Sequence, residues 1–265
     1  MDKQIIQRLD SFFENADIID RADIISVLKD SYPKFDPANV SFYFWDLKKA
    51  GLFYSYDDKR VRRIGSLKDF FYEPDSFETT LWKNVLSSGM YYPVCLYSSS
   101  VFNEFISLQI LRKYYFIEAP KEAFDSIADG LAHLKKETPF LFSKDFSNSK
   151  ILWSMASIVI VSPLVVGAPL NKTVHFFTKG HNPLLGVVTP TLEKLLVDAY
   201  CDHHIINLES TGQIVDFYHV ALSDYMINFR TLFSYAKKRN VYLELQDFIR
   251  VVVRFDLEKG RFFDD

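Results

Sequence analysis

Apolar residues in the first third of the chain recur at helical spacing, and turn-forming residues break the pattern several times. Ile5, Ile6, Leu9, Phe12 and Phe13 predict a helix over about Asp2–Glu14. Ile24, Ile25 and Leu28 predict a second, with Asp20 as N-cap, Ile19 and Ile24 as a hydrophobic staple, and Tyr32-Pro33 as its end. Asp36-Pro37 offers a cap and a first-turn proline, and Val40, Phe44 and Leu47 make the apolar stripe of a third helix. Lys48 and Lys49 fall in its last turn, where the helix dipole favours cations, and Gly51 stops it. Alternation over Leu52–Tyr56, a turn at Asp57-Asp58 and a return through Lys59–Arg63 predict a hairpin.

Three helices and a basic hairpin are the parts of a winged helix-turn-helix, which we expect over residues 1–66. Gly65–Ser76 reads as a connecting stretch, so the division is 1–66, a linker at 67–76, and a second region at 77–265. In that region helical patterns (Phe77–Ser87, Ser100–Gln109, Pro120–Lys136) alternate with strand-like runs. The runs are Tyr92–Tyr97, Tyr114–Glu118, Phe140–Phe142, Ile158–Val161, Val174–Phe177 and Gly186–Val188. From about Thr189 the chain reads as helical. Thr189 caps and Pro190 starts the first of these helices, and others follow near Thr211–Asn228, Arg230–Lys238 and Tyr242–Arg254. The expected fold class is therefore α/β (α+β), a winged helix followed by a β/α domain with a helical C-terminal part.

Composition narrows the function classes. The 265 residues carry a net charge of −3, so any nucleic-acid binding must come from local charge. Six cations lie between Lys48 and Arg63, while acids crowd the first two helices. Two cysteines with no C-x-x-C spacing suggest neither a disulfide framework nor a zinc site. No signal-peptide core or bilayer-length apolar run is present, and the expected compartment is cytoplasmic, with no membrane partner.

Candidate DNA contacts follow from the third helix and the hairpin. Lys59, Arg60, Arg62 and Arg63 would lie along phosphate, with a solvated charge run as the plain alternative. Four neutralised phosphates would lower log affinity by about 3.6 per tenfold rise in salt. Phe42, Trp45 and Lys49 lie opposite the apolar stripe. Two aromatics left in water should meet the second domain, a dimer mate, or sugars and thymine methyls. Asn39, Ser41 and Tyr43 are the candidates for base edges, with Lys48 and Lys49 beside them.

Catalytic signatures are missing: there is no G-x-x-x-x-G-K-[ST], G-x-S-x-G, H-E-x-x-H or D-x-D. No catalytic residue, metal or cofactor is therefore expected. The group Glu193, Lys194, Asp198, Asp202, His203 and His204 is the most enzyme-like. A metal site of Asp202, His203 and His204 is weighed there against a polar helix end, which is favoured. Lys194 and Asp198, four apart, are expected to pair on the surface. Glu118, with Asn103-Glu104, could face a cleft, although a strand end accounts for it.

Three segments carry a resemblance. Pro190-Thr-Leu-Glu-Lys-Leu-Leu-Val-Asp198 continuing to Asp202, Tyr225-Met-Ile-Asn-Phe229 continuing through Tyr235-Ala-Lys-Lys-Arg239, and Trp45-Asp-Leu-Lys-Lys-Ala-Gly51 occur in order. Together they resemble the AbiEi-type antitoxins of bacterial abortive-infection (type IV toxin–antitoxin) phage-defence systems, or a related branch of unassigned function. The resemblance implies a winged helix that binds operator DNA and represses its own operon; a dimer on the DNA is a separate expectation. It also implies a C-terminal domain that counters a nucleotidyltransferase-like toxin. On that reading Glu193, Lys194, Asp198, Asp202, Asn228, Lys237, Lys238 and Arg239 belong to the antitoxin domain. The alternative is a nucleotide- or RNA-modifying enzyme, or a degenerate relative, using the β/α domain.

Overall fold

The computed structural model describes residues 1–87, 94–132, 139–143, 157–171, 187–202, 208 and 210–263. The N-terminal elements are α1 (Lys3–Phe12), β1 (Ile18–Asp20), α2 (Arg21–Ser31), α3 (Val40–Lys49), β2 (Phe53–Ser55) and β3 (Arg60–Arg63). Asp36 accepts the Ala38 N–H and opens a 3₁₀ turn, Pro37–Asn39, that leads into α3. Gly51 ends that helix at φ 76°, a conformation that side chains with a Cβ resist. The strands form an antiparallel sheet in the order β1-β3-β2, with Val61 facing Ile19 on one side and Ser55 on the other. Leu9, Ile24, Leu28, Phe44, Leu47 and Val61 close the core beneath it. This is the winged-helix arrangement. Strand β1 escaped the sequence reading because three residues cannot display an alternation. Asp20 does stand at the N-cap of α2, but its side chain makes no capping bond.

The second region is built on a five-stranded mixed sheet, β6-β7-β5-β4-β8. Its strands are β4 (Val94–Ser98), β5 (Lys113–Ala119), β6 (Phe140–Phe142), β7 (Ser157–Pro163) and β8 (Val187–Val188). β5, β6 and β7 run parallel, whereas β4 runs against β5 and carries β8 parallel at the edge. Both faces are covered, which is why the strands read as continuous apolar runs. Leu96, Tyr115, Ile117, Val159 and Val161 meet α4 (Ser76–Ser87) and α5 (Phe124–Leu131). Cys95, Tyr97, Tyr114, Phe116, Ile158 and Ile160 meet the C-terminal helices α6 (Leu192–Asp202), α7 (Thr211–Asp224), α8 (Phe229–Lys238) and α9 (Tyr242–Asp247). A π-helical turn, Phe248–Val252, follows, and then a short hairpin of β9 (Phe255–Asp256) and β10 (Arg261–Phe262).

Several boundaries differ from the sequence reading. The stretch expected as a helix at Ser100–Gln109 is a 3₁₀ segment, Ser99–Glu104. Helix α6 begins at Leu192, not Pro190, and the Thr191 hydroxyl accepts the Lys194 N–H. Thr189 is buried instead, and its hydroxyl accepts from the Asn171 amide. The strand expected at Val174–Phe177 lies outside the described residues. No helix among the described residues is long and apolar enough to cross a membrane.

The two regions are stitched together. The stretch read as a linker bonds to α4, to β4 and to the chain around Tyr225: Lys68 N–H donates to Asp224 O, Met226 N–H donates to Lys68 O, and buried Tyr72 bonds Glu78 and Ser98. At the hairpin tip, Tyr56 sits in the core of the larger region against Phe229, with its hydroxyl on Leu257 O. Tyr56→Ala should therefore cost about 3–5 kcal/mol. Urea melts followed by tryptophan fluorescence and circular dichroism should show a lowered midpoint; an unchanged midpoint would contradict this packing.

Candidate functional site

Two places gather the residues singled out from sequence, and the first is the outer face of α3. Ser41, Phe42, Trp45, Lys48 and Lys49 are exposed there. Phe42 and Trp45 keep 55% and 54% of their surface in solvent, so the larger region does not cover them. Their rings stack on each other at 5.7 Å, and the Lys49 ammonium lies 5.0 Å from the Trp45 ring. Asn39 is exposed as well, its amide donating to Asp36 at 2.7 Å. Tyr43 is a correction. It is buried between Tyr32 and Phe35, its hydroxyl accepts the Asp36 N–H, and it reaches Lys34 O. Tyr43 and Leu47 are four apart, so Tyr43 belongs to the apolar face and cannot read base edges.

The hairpin cations are mostly committed elsewhere. Arg60 pairs with Asp57 at 2.7 Å and with Glu258 at 3.1 Å, and it also donates to Leu257 O. Arg63 pairs with Asp10 at 2.5 Å and donates to Phe13 O. Arg62 lies beside the buried Tyr54 and Tyr56. Of the four cations expected along phosphate, Lys59 is exposed and Arg60, Arg62 and Arg63 are half-buried, while Lys48 and Lys49 on α3 add two more exposed cations. Among the described residues Lys48 forms only a solvent-exposed pair with Asp69, the kind worth little.

The second place is inside the larger region. Alternation along β5 points Tyr114, Phe116 and Glu118 toward the C-terminal helices, so a carboxylate at the strand end faces α6. Lys194 on α6 is fully buried, and its ammonium donates to Glu118 Oε1 at 2.7 Å and Asp198 Oδ2 at 2.5 Å. Its third side faces the Tyr97 ring at 5.1 Å, and the Tyr97 hydroxyl donates to the same Glu118 oxygen. Asp198 Oδ1 accepts from the Tyr235 hydroxyl at 2.9 Å and from Arg239 at 2.6 Å, and the other arm of Arg239 reaches Asp202 at 2.6 Å. The surface pair expected of Lys194 and Asp198 is therefore a buried network. Charge in an otherwise apolar run (Glu118 in YYFIEA, Lys194 in LEKLLV) was the signal available in the sequence.

Beside this network a cleft of about 340 Å³ opens, lined by Tyr97, Phe116, Glu118, Ser162, Val165, Asp198, Asp202, Tyr235 and Arg239. Burial pushes the Glu118 carboxyl above the ordinary glutamate range, against the pull of Lys194 and the bonds from Lys194 and Tyr97. Burial also works against the charges of Lys194 and Arg239, but Asp198 with Glu118, and Asp198 with Asp202, outweigh it and hold both cations. Burial raises both thiols, Cys201 to about 11, so neither is poised as a nucleophile.

The remaining motif residues have other duties. Glu193 accepts the Asn228 N–H at 2.9 Å, and the Asn228 side chain caps α8 at Thr231. Lys237 lies over the Tyr242 ring, and Lys238 donates to Gly167 O. His203 and His204 lie outside the described residues, and among the described residues no group of three His, Cys, Asp or Glu side chains is arranged to hold a metal.

A carboxyl raised by folding stabilises the fold fully below its unfolded pKa, and that contribution is lost as pH rises through the folded value. Wild-type stability relative to Glu118→Gln should therefore fall from acid toward neutral pH. Paired thermal melts across that range check the sign; a rising difference would mean Glu118 is held ionised. No curated protein matches the sequence at a significant level. Residues 39–254, from the start of α3 past the π-helical turn, match DUF6577, described as a family of unknown function, and with most of its length covered the chain belongs to that family.

Proposed function

We propose that the protein is an antitoxin-type transcriptional autorepressor. In this reading α3 of the winged helix enters the major groove of operator DNA, and the α/β region counteracts a nucleotidyltransferase-like toxin. The observation that carries the DNA half is the uncovered outer face of α3. Phe42 and Trp45 stand in solvent with Lys48 and Lys49 beside them, on the helix that winged-helix proteins use for readout. Asn39 and Ser41 are the polar side chains left to meet base edges, and Lys59 is the hairpin cation left for phosphate. The toxin half is supported by the resemblance of the α6 and α8 segments.

The enzyme alternative has one observation in its favour, the cleft beside Glu118 at the C-terminal ends of β5 and β7. Its chemistry fits nucleotides poorly. Lys194 and Arg239, the cations there, are already paired, so a phosphate would meet no uncommitted cation among the described residues lining it.

Gel shifts on the DNA upstream of the chain's own gene test the proposal. With Lys48, Lys49 and Lys59 on phosphate, log affinity should fall by about 2.7 per protomer for a tenfold rise in salt. Lys49→Glu should weaken binding and reduce that slope by about 0.9. Trp45→Ala should weaken binding and leave the slope unchanged. If Trp45→Ala alters only the oligomeric state in size-exclusion chromatography, with shifts intact, this face is a protein interface instead. For the other half, co-expression should restore growth to cells making the nucleotidyltransferase-like protein encoded beside it, and no rescue would remove the antitoxin role.

A further inference from the structure

The cleft at the end of β5 is surrounded by an unbalanced set of charges. Lys194 and Arg239 supply two cations, and Glu118, Asp198 and Asp202 supply three carboxylates. Following each hydrogen-bonding valence shows where the surplus sits. The Lys194 ammonium is used by Glu118, Asp198 and the face of Tyr97. Both Asp198 oxygens are taken, one by Lys194 and the other by Tyr235 and Arg239. The Arg239 fork spans Asp198 and Asp202. Glu118, in contrast, receives Lys194 and Tyr97 on Oε1 alone, and among the described residues its second oxygen accepts nothing, although the side chain is nine-tenths buried and lines the cleft. Asp202 likewise receives Arg239 on one oxygen and is a third exposed. The acceptors left over all belong to carboxylates, and both cations are already paired with carboxylates. Phe116, Pro163 and Val165 provide apolar lining between them.

We propose that this cleft binds an organic cation, a protonated amine or guanidinium group, between the free oxygens of Glu118 and Asp202. An anion would find acceptors and no free cation. A water could satisfy one oxygen but would leave the surplus negative charge in place. Charge-assisted donation from an ammonium or guanidinium satisfies both carboxylates and balances the count. The cleft has room for roughly ten water volumes, enough for a short diamine or an arginine-like side chain. Such a group could come from a free metabolite or from a lysine or arginine on a partner protein, and the chemistry at the site is shared.

The groups facing Glu118 are Lys194 and Asp198 from α6, Tyr97 and Cys95 from β4, and Tyr235 from α8. Burial raises the Glu118 pKa and a bound cation draws it back down, so binding is coupled to proton release and affinity rises as pH passes through the Glu118 titration.

Isothermal titration calorimetry on the full chain tests this with three probes: agmatine, N-acetyl-arginine methylamide and inorganic phosphate. Agmatine or the capped arginine should bind one-to-one, with proton release seen as a dependence of the heat on buffer ionisation enthalpy. Agmatine binding points to a free amine, and binding of the capped arginine alone points to a partner's side chain. Asp202→Asn, at a partly exposed position that leaves the Lys194 pairs with Glu118 and Asp198 in place, should weaken binding at least about tenfold. Glu118→Gln should weaken it similarly and abolish the proton release. The proposal is overturned if neither cation binds, if phosphate binds in their place, or if Asp202→Asn leaves the affinity unchanged in a folded protein.

Discussion

An ammonium group sealed from water is tolerable only where carboxylates hold it, and the Lys194 site organises much of the larger region. Glu118 ties the site to the middle of the sheet, Asp198 keeps it within α6, and Tyr235 with Arg239 extends it to α8. Sheet and helices can satisfy these groups in one relative placement. Sliding α6 by a turn would leave an unpaired charge buried, which costs far more than a mispacked leucine. The network thus acts as a register pin between β5 and the helical layer, while apolar contacts such as Phe116, Leu195 and Phe217 supply the bulk of the attraction.

How much of this was legible in the sequence differs by element. Helix α3 and its hairpin could be read because several local signals agree there: a cap at Asp36, a stripe at three and four residue spacing, and a left-handed stop at Gly51. The runs at β5 and β7 were visible as apolar, but their neighbours were not, because sheet order is a non-local property. The buried network was hidden for the same reason. Nothing within the α6 segment says that Glu118, 76 residues earlier, stands opposite Lys194. Tyr43 was misplaced by a narrower cause. Its aromatic ring widens the apolar stripe, and its hydroxyl finds backbone partners close by.

The hairpin shows how local charge and tertiary role can diverge. A run of four cations beside a turn suggests an electrostatic surface, yet Arg60 and Arg63 spend their donors on Glu258, Leu257 O, Asp10 and Phe13 O. Guanidinium groups suit that task, since a planar fork can serve a carboxylate and a carbonyl at once. Among the described residues the outer face of α3 has weaker sinks, an exposed pair of Lys48 with Asp69. Phe42 and Trp45 stack on each other beside Lys49, so a partner that dries them gains apolar contact at little cost in side-chain ordering.

The docking of Tyr56 into the helical layer has a further consequence. Composition suggests a seam near residue 66, but the Phe229 N–H donates to Tyr56 O across it, and the Tyr56 ring lies against Phe229. A fragment ending at that seam would carry a bare aromatic knob at its tip. Cutting the polypeptide there would yield a sticky piece prone to self-association, so any dissection of its activities is better done by point substitution than by scissors.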